Sequence, residues 1–160
     1  MLGGNHYNKV INKYSDWSRN NCYLLHGTNC AGLKCIVPHQ ANCNSHRNGN
    51  LYAVYATDDI HLAIYYAILD RKKWVGVSKA QKLRHQEEYK YKFALEGNVL
   101  DAIPFCKGYI YSLDREGFFP VCSNGDISIS EWYSLKECIP MLTIEVYPED
   151  FKFLNTIDRL

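Results

Sequence analysis

Residues 51–69, LYAVYATDDIHLAIYYAIL, change hydrophobic period within a few positions. Leu51 to Ala56 is rich in β-favouring residues and predicts a strand. After Thr57-Asp58-Asp59, the residues Leu62, Ala63, Tyr66, Ala67 and Ile68 recur at helical spacing. Thr57 or Asp58 is the expected N-cap, because a short side-chain oxygen there accepts from the first free backbone N–H groups. The tight junction of strand and helix carries Tyr52, Tyr55, Tyr65 and Tyr66. Such a turn brings a strand tyrosine and a helix tyrosine onto opposite walls of one cleft. Two aromatic rings held that way form a slot able to stack a flat cation on both faces.

At 160 residues the chain is one domain's worth, 1–160, with residues 1–20 as a polar lead-in that holds one short helix around Val10 to Ser18. The formal charge of +1 gives no large electrostatic footprint for duplex nucleic acid, though it leaves room for a local basic patch. No apolar run approaches the ~20 residues of a membrane span, and Met1 to Lys13 lacks the apolar core of a signal peptide. No membrane association and a cytoplasmic location are therefore expected. Seven cysteines make an odd count, which suits reduced thiols better than a disulfide framework. Cys35, His39, Cys43 and His46 have a spacing that offers four zinc ligands, but the paired Cys-x2-Cys knuckle is missing. A polar loop with scattered cysteines is preferred, and no metal is expected.

Elsewhere, Cys22 to His26 predicts a compact strand closed by Gly27-Thr28, and 31–49 predicts an irregular connection. Arg71 to Tyr91 is dense in Lys and Arg and predicts an exposed helix or an inserted loop with a solvated face. Tyr91–Leu95, Lys107–Leu113, Gly117–Cys122, Asp126–Ser130 and Met141–Tyr147 predict short strands between Gly, Pro and Asn turns. Strands outnumber helices, and the helices cluster early. The fold class is α+β with a largely antiparallel sheet.

Three segments, LLHGT, VYATDDIHLAIYYA and SEWYSLKECIPMLTIEV, resemble the three core segments of the ADP-ribosyltransferases of the diphtheria-toxin and poly-ADP-ribose-polymerase type. The resemblance spans about Cys22 to Val146. It implies split, largely antiparallel sheets with a few helices around an NAD cleft, and NAD as substrate. His26, Gly27 and Thr28 match the first motif, Tyr55 and Tyr66 the second, and Glu131 the third. By that match His26, Tyr55 and Glu131 are the catalytic set, while His26, Gly27, Thr28, Tyr55 and Tyr66 hold NAD. Ala63 stands where the polymerase branch has a Ser, and Tyr65 beside Tyr66 leaves open which ring faces the cleft.

The residue chemistry fits this assignment. Gly27 lacks a side chain, so a carboxamide can approach its backbone. His26 can hydrogen-bond a ribose hydroxyl, and Glu131 can stabilise the positive charge that develops as nicotinamide leaves. Taken singly, each residue also has an ordinary structural role; their order and spacing favour the site. The function expected is transfer of ADP-ribose to a macromolecular acceptor, protein or nucleic acid, in a bacterial or phage toxin or effector that meets an antitoxin or immunity partner. A non-catalytic NAD- or nucleotide-binding module on the same fold is the alternative. A transferase of RNA 2′-phosphate to NAD would lack Glu131, and a zinc-binding regulatory domain would use the Cys35–His46 cluster.

Overall fold

The computed structural model describes residues 3–18, 22–40, 51–70, 72–73, 78–123 and 126–160. Helix α1 (Gly3–Ser18) precedes strands β1 (Tyr23–Thr28), β2 (His39–Gln40) and β3 (Tyr52–Thr57), and β3 runs into helix α2 (Ile60–Ile68). Strands β4 (Ser78–His85) and β5 (Glu88–Leu95), helix α3 (Gly97–Asp101), and strands β6 (Gly108–Asp114), β7 (Phe119–Ser123), β8 (Asp126–Ser134) and β9 (Leu142–Val146) follow. Two short 3₁₀ turns and a two-residue strand β10 (Asp158–Arg159) complete the order. The class is α+β, as the sequence predicts.

A seven-stranded sheet has the order β7-β8-β3-β1-β6-β9, with β2 paired to β3. All of its pairings are antiparallel. A second sheet, β10-β5-β4, has one parallel pairing, between β10 and β5. Side chains on the large sheet alternate between two cores. Leu25, Ile110, Ile144 and Val146 face α2, together with Phe93, Phe151 and the buried side of α2 itself. Leu24, Val54, Ala56, Tyr111 and Leu113 face the other way, onto Ile36 and Phe118.

Helix α2 touches the sheet with almost nothing between them. A Cβ on Gly27 would lie 2.1 Å from the Ala63 carbonyl oxygen, and one on Gly108 would lie 1.9 Å from that of Ala67. The glycines of β1 and β6 and the alanines of α2 are thus matched surfaces. Its N-cap is Asp59, which accepts from His61 N at 2.8 Å and Leu62 N at 3.2 Å. The sequence reading placed the cap at Thr57 or Asp58. Thr57 instead remains in the strand, and its Oγ1 accepts from the Asp59 N–H at 3.0 Å.

Two other expectations change. The lead-in is a 16-residue helix whose Val10 enters the core, with Ile11 and Tyr14 against it. Residues 71 and 74–77 of the basic stretch lie outside the described residues; from 78 onwards it is neither helix nor loop but part of a hairpin, β4–β5, over 78–95. Its inner face carries Tyr91 and Phe93 onto α2, a period-two pattern that the interleaved lysines obscure.

Candidate functional site

Strands β8, β3 and β1 are neighbours at the centre of the large sheet. They carry Glu131, Tyr55 and His26, three residues spread over more than a hundred positions of sequence. Glu131 stands opposite Thr57, and Tyr133 opposite Tyr55. Side chains at paired positions share a face. Thr57 is itself paired with Leu25, which packs under α2. Tyr55, Thr57 and Glu131 therefore lie on the α2 face, and Trp132 packs on the opposite core. Tyr55 and Glu131 are both half-buried, and the Tyr55 hydroxyl donates to the Leu51 carbonyl at 2.9 Å.

The interface of β1 and β3 is unlike the others. Their register consists of one pair, Leu25↔Thr57, whereas β1 and β6 pair along all of Tyr23–Thr28. Arg115 N donates to Cys22 O at 2.9 Å, so even-numbered residues of β1 direct their backbone groups to β6. By alternation Leu25 and Gly27 direct theirs towards β3. In a continued ladder Gly27 would meet Tyr55. Instead the Tyr55 carbonyl receives the His26 ring, with Nδ1 at 2.7 Å. The histidine thus occupies the acceptor that the Gly27 N–H would otherwise use, and the Gly27 backbone is aimed into the gap where the strands part.

A carbonyl can only accept, so His26 Nδ1 carries the proton. In the neutral ring Nε2 is then an acceptor, suited to a hydroxyl donor. His39, on β2, stands edge-on to His26 with ring centroids 6.4 Å apart. Thr28 begins the following turn, its hydroxyl accepting from Cys30 N at 3.3 Å.

The two adjacent tyrosines differ in burial. Tyr65 is fully buried among Phe93 and Phe151, with its hydroxyl 3.3 Å from Ala94 O. Tyr66 is half-buried, one position before Ala67 and one turn beyond Ala63, the two residues pressed on Gly27. The reason for glycine at position 27 also changes. Its missing side chain admits helix α2, not a ligand; only its backbone groups face the gap. Ala63, whose carbonyl makes that approach, is itself completely buried.

A second polar group surrounds the α2 N-terminus. Asp59 is buried and receives Lys82 Nζ at 2.9 Å and the Tyr91 hydroxyl at 2.7 Å. Burial would raise its pKa, but the bonds from Tyr91 and Lys82 and the lysine charge outweigh that and hold it below the usual carboxylate range. His61 lies between Tyr91 and Phe153, and its buried Nδ1 has no hydrogen-bond partner among the described residues. Burial, reinforced by Lys152, brings its pKa down to about 4. Tyr14 donates to the Asp58 carbonyl, and burial together with the charges of Asp59 and Asp58 pushes its hydroxyl up to about 12. Sequence reasoning missed Asp59 as an anchor because its partners, Lys82 and Tyr91, lie more than twenty residues away along the chain.

Of the four conceivable zinc ligands, Cys43 and His46 lie outside the described residues. Cys35 is beside an isolated bridge, Ile36↔Cys138; burial and the neighbouring Glu137 push its thiol pKa up. Among the described residues no group of three His, Cys, Asp or Glu side chains is arranged to hold a metal. Among them, too, no helix is long and apolar enough to cross a membrane. Comparison of the chain with protein-family models, with curated proteins and with solved structures returned no match in any of the three.

Proposed function

We propose that the chain is an NAD-dependent ADP-ribosyltransferase whose site is the gap between β1 and β3. The observation that carries this reading is the His26–Tyr55 bond, which takes over a backbone acceptor and leaves the Gly27 backbone facing the gap. Tyr55 borders that gap on β3, Glu131 lies one strand further on the same face, and helix α2, which also carries Tyr66, covers Gly27. In this reading Tyr55 and Tyr66 stack on the nicotinamide ring. The Gly27 N–H and C=O hold its carboxamide, and His26 Nε2 accepts from a ribose hydroxyl. As the C1′–N bond breaks, its electron pair leaves with nicotinamide, and the Glu131 carboxylate stabilises the positive charge left on the sugar. A nucleophilic acceptor then bonds to C1′ and releases its proton.

Glu131→Gln keeps the shape and removes the charge, so it separates an enzyme from a binding module. NAD affinity, measured by calorimetry, is expected to stay within a few-fold, because the charge matters in the transition state. Transfer of label from NAD is expected to fall by roughly a hundredfold. Glu137→Gln, in a loop, and Glu145→Gln, on edge strand β9 and paired with Lys107, should leave transfer nearly intact. If wild type binds NAD yet neither consumes it nor labels any component of a lysate, the chain is a binding module. Loss of transfer in Glu145→Gln but not in Glu131→Gln would move the site to another strand.

A further inference from the structure

The β4–β5 hairpin concentrates positive charge. Its 18 residues, 78–95, hold five Lys or Arg and two Glu, in a chain whose formal total is only +1. The rest of the molecule is therefore net negative. Lys82 is neutralised by Asp59 at 2.9 Å. Lys79, Arg84, Lys90 and Lys92 are exposed, and among the described residues none has a carboxylate within ion-pair distance.

Register places these charges in a row. Gln81↔Lys92 and Leu83↔Lys90 share the outer face of the ribbon with Lys79↔Ala94. Lys90 and Lys92 are two residues apart on one strand, about 7 Å, and Lys79 lies diagonally across from Lys92 at a similar separation. Glu88 and Asp158 flank the row at its two ends. Three like charges at that spacing repel one another unless an anion lies along them. The ribbon is also rooted beside the candidate site: Asp59, which holds Lys82 and Tyr91, is two residues beyond Thr57, the partner of Glu131.

We propose that this ribbon binds the phosphodiester backbone of a nucleic acid, through the row Lys79, Lys92 and Lys90. A 7 Å repeat spans two nucleotides at a 3.4 Å rise. Combined with the transferase reading, on which this part alone rests, the ribbon makes a nucleic acid the acceptor delivered to Glu131. The binding itself does not depend on NAD.

The test uses the full chain and fluorescence anisotropy with labelled duplex DNA and single-stranded RNA of roughly 20 nucleotides, titrated between about 50 and 200 mM salt. Wild type should bind at least one of them with a steep salt dependence. The triple variant K79Q/K90Q/K92Q should bind at least tenfold more weakly, and the slope of log K against log salt should fall in magnitude by about 2 to 3, as expected for three lost phosphate contacts. The Arg triple K79R/K90R/K92R keeps the charges and should keep binding, while K34Q/K136Q controls for charge elsewhere. Tighter binding to the duplex or to the strand identifies which nucleic acid is held. Absence of salt-dependent binding by wild type overturns the proposal. So does equal binding by the Gln triple, loss in the Arg triple, or competition by polyglutamate as strong as by nucleic acid. Nucleic-acid binding without NAD consumption would sink the transferase reading alone; NAD consumption without nucleic-acid binding would sink the ribbon alone.

Discussion

Substituting alanine for Gly27 tests whether α2 sits on the sheet as closely as described. The added Cβ would lie 2.1 Å from the Ala63 carbonyl oxygen and 2.8 Å from Ala67 N. Both are backbone atoms of a helix and cannot swing aside. Restoring even a tight contact requires helix and strand to separate by roughly 1 Å, in an interior packed as densely as a crystal. A gap of that size forfeits about a quarter to a half of each dispersion contact across it. Seven side chains of α2 are buried, so the loss is shared by most of the helix. The cost should reach or exceed the upper end of the usual overpacking range, about 3 kcal/mol. For a chain of this size that lowers Tm by about 6–12 °C. Urea unfolding and calorimetry would measure it. Gly97→Ala is the control: its Cβ would meet only the tip of the Arg159 side chain at 3.2 Å, at the start of α3, and should be neutral or slightly stabilising. A Gly27→Ala protein within about 1 kcal/mol of wild type would refute the close seat of the helix.

The two tyrosines of α2 should separate by assay. Tyr65→Ala opens a cavity among Phe93 and Phe151 and should cost about 3–5 kcal/mol of unfolding free energy, whereas Tyr66→Ala should change stability less and weaken NAD binding about fivefold or more; the reverse pattern would put the slot on Tyr65. Stability should also fall on both sides of a plateau. The unfolded His61 takes a proton below about 6.5 but the folded one only near 4, so stability is present above pH 6.5 and declines as pH falls towards 4; the depressed Asp59 adds a loss below the usual carboxylate range. The raised Tyr14 gives the opposite limb, with stability lost as pH rises from 10 towards 12. With partial exposure discounted, the His61 limb should be on the order of 1–2 kcal/mol, and chemical denaturation of His61→Phe across pH 4–7 should flatten it; an unchanged limb would assign it elsewhere.

The strand–turn–helix at 51–69 was legible because its residues change period in place, and β1, β3, β6, β8 and β9 each coincide with an expected strand to within a few residues. Of the β4–β5 hairpin only the expected strand Tyr91–Leu95 was legible; the rest was not, since Lys82 sits at a position where an inward-facing strand residue is ordinarily apolar. Lys82 is tolerated there by a carboxylate, Asp59, more than twenty residues away. Likewise β10 consists of two exposed residues held by backbone pairing to β5, which leaves no trace in side-chain pattern. At the candidate site, the residue types His26, Tyr55 and Glu131 were readable. Their placement on adjacent strands was not, because it depends on the strand order of the whole sheet. What the missing Gly27 side chain makes room for was not legible either: a glycine reveals that something comes close, but not that it is a helix.

The lone Leu25–Thr57 pairing divides the large sheet into two leaves, β7-β8-β3 and β1-β6-β9, meeting at a seam. Other neighbouring strands along this path are held by ladders several residues long. Gly27 and Gly108 seat α2 on the β1–β6 leaf, and the Thr57–Asp59 turn joins the helix to the other leaf. Parting the leaves breaks one ladder position and the His26 bond and draws Val54 and Ala56 away from Leu24, Tyr111 and Leu113 in the core they share, a local event short of global unfolding. Amides on either side of the seam would exchange with solvent through this local opening, ahead of those inside each leaf. A molecule held between the leaves could enter and depart by the same breathing motion, with each leaf's own hydrogen bonds intact.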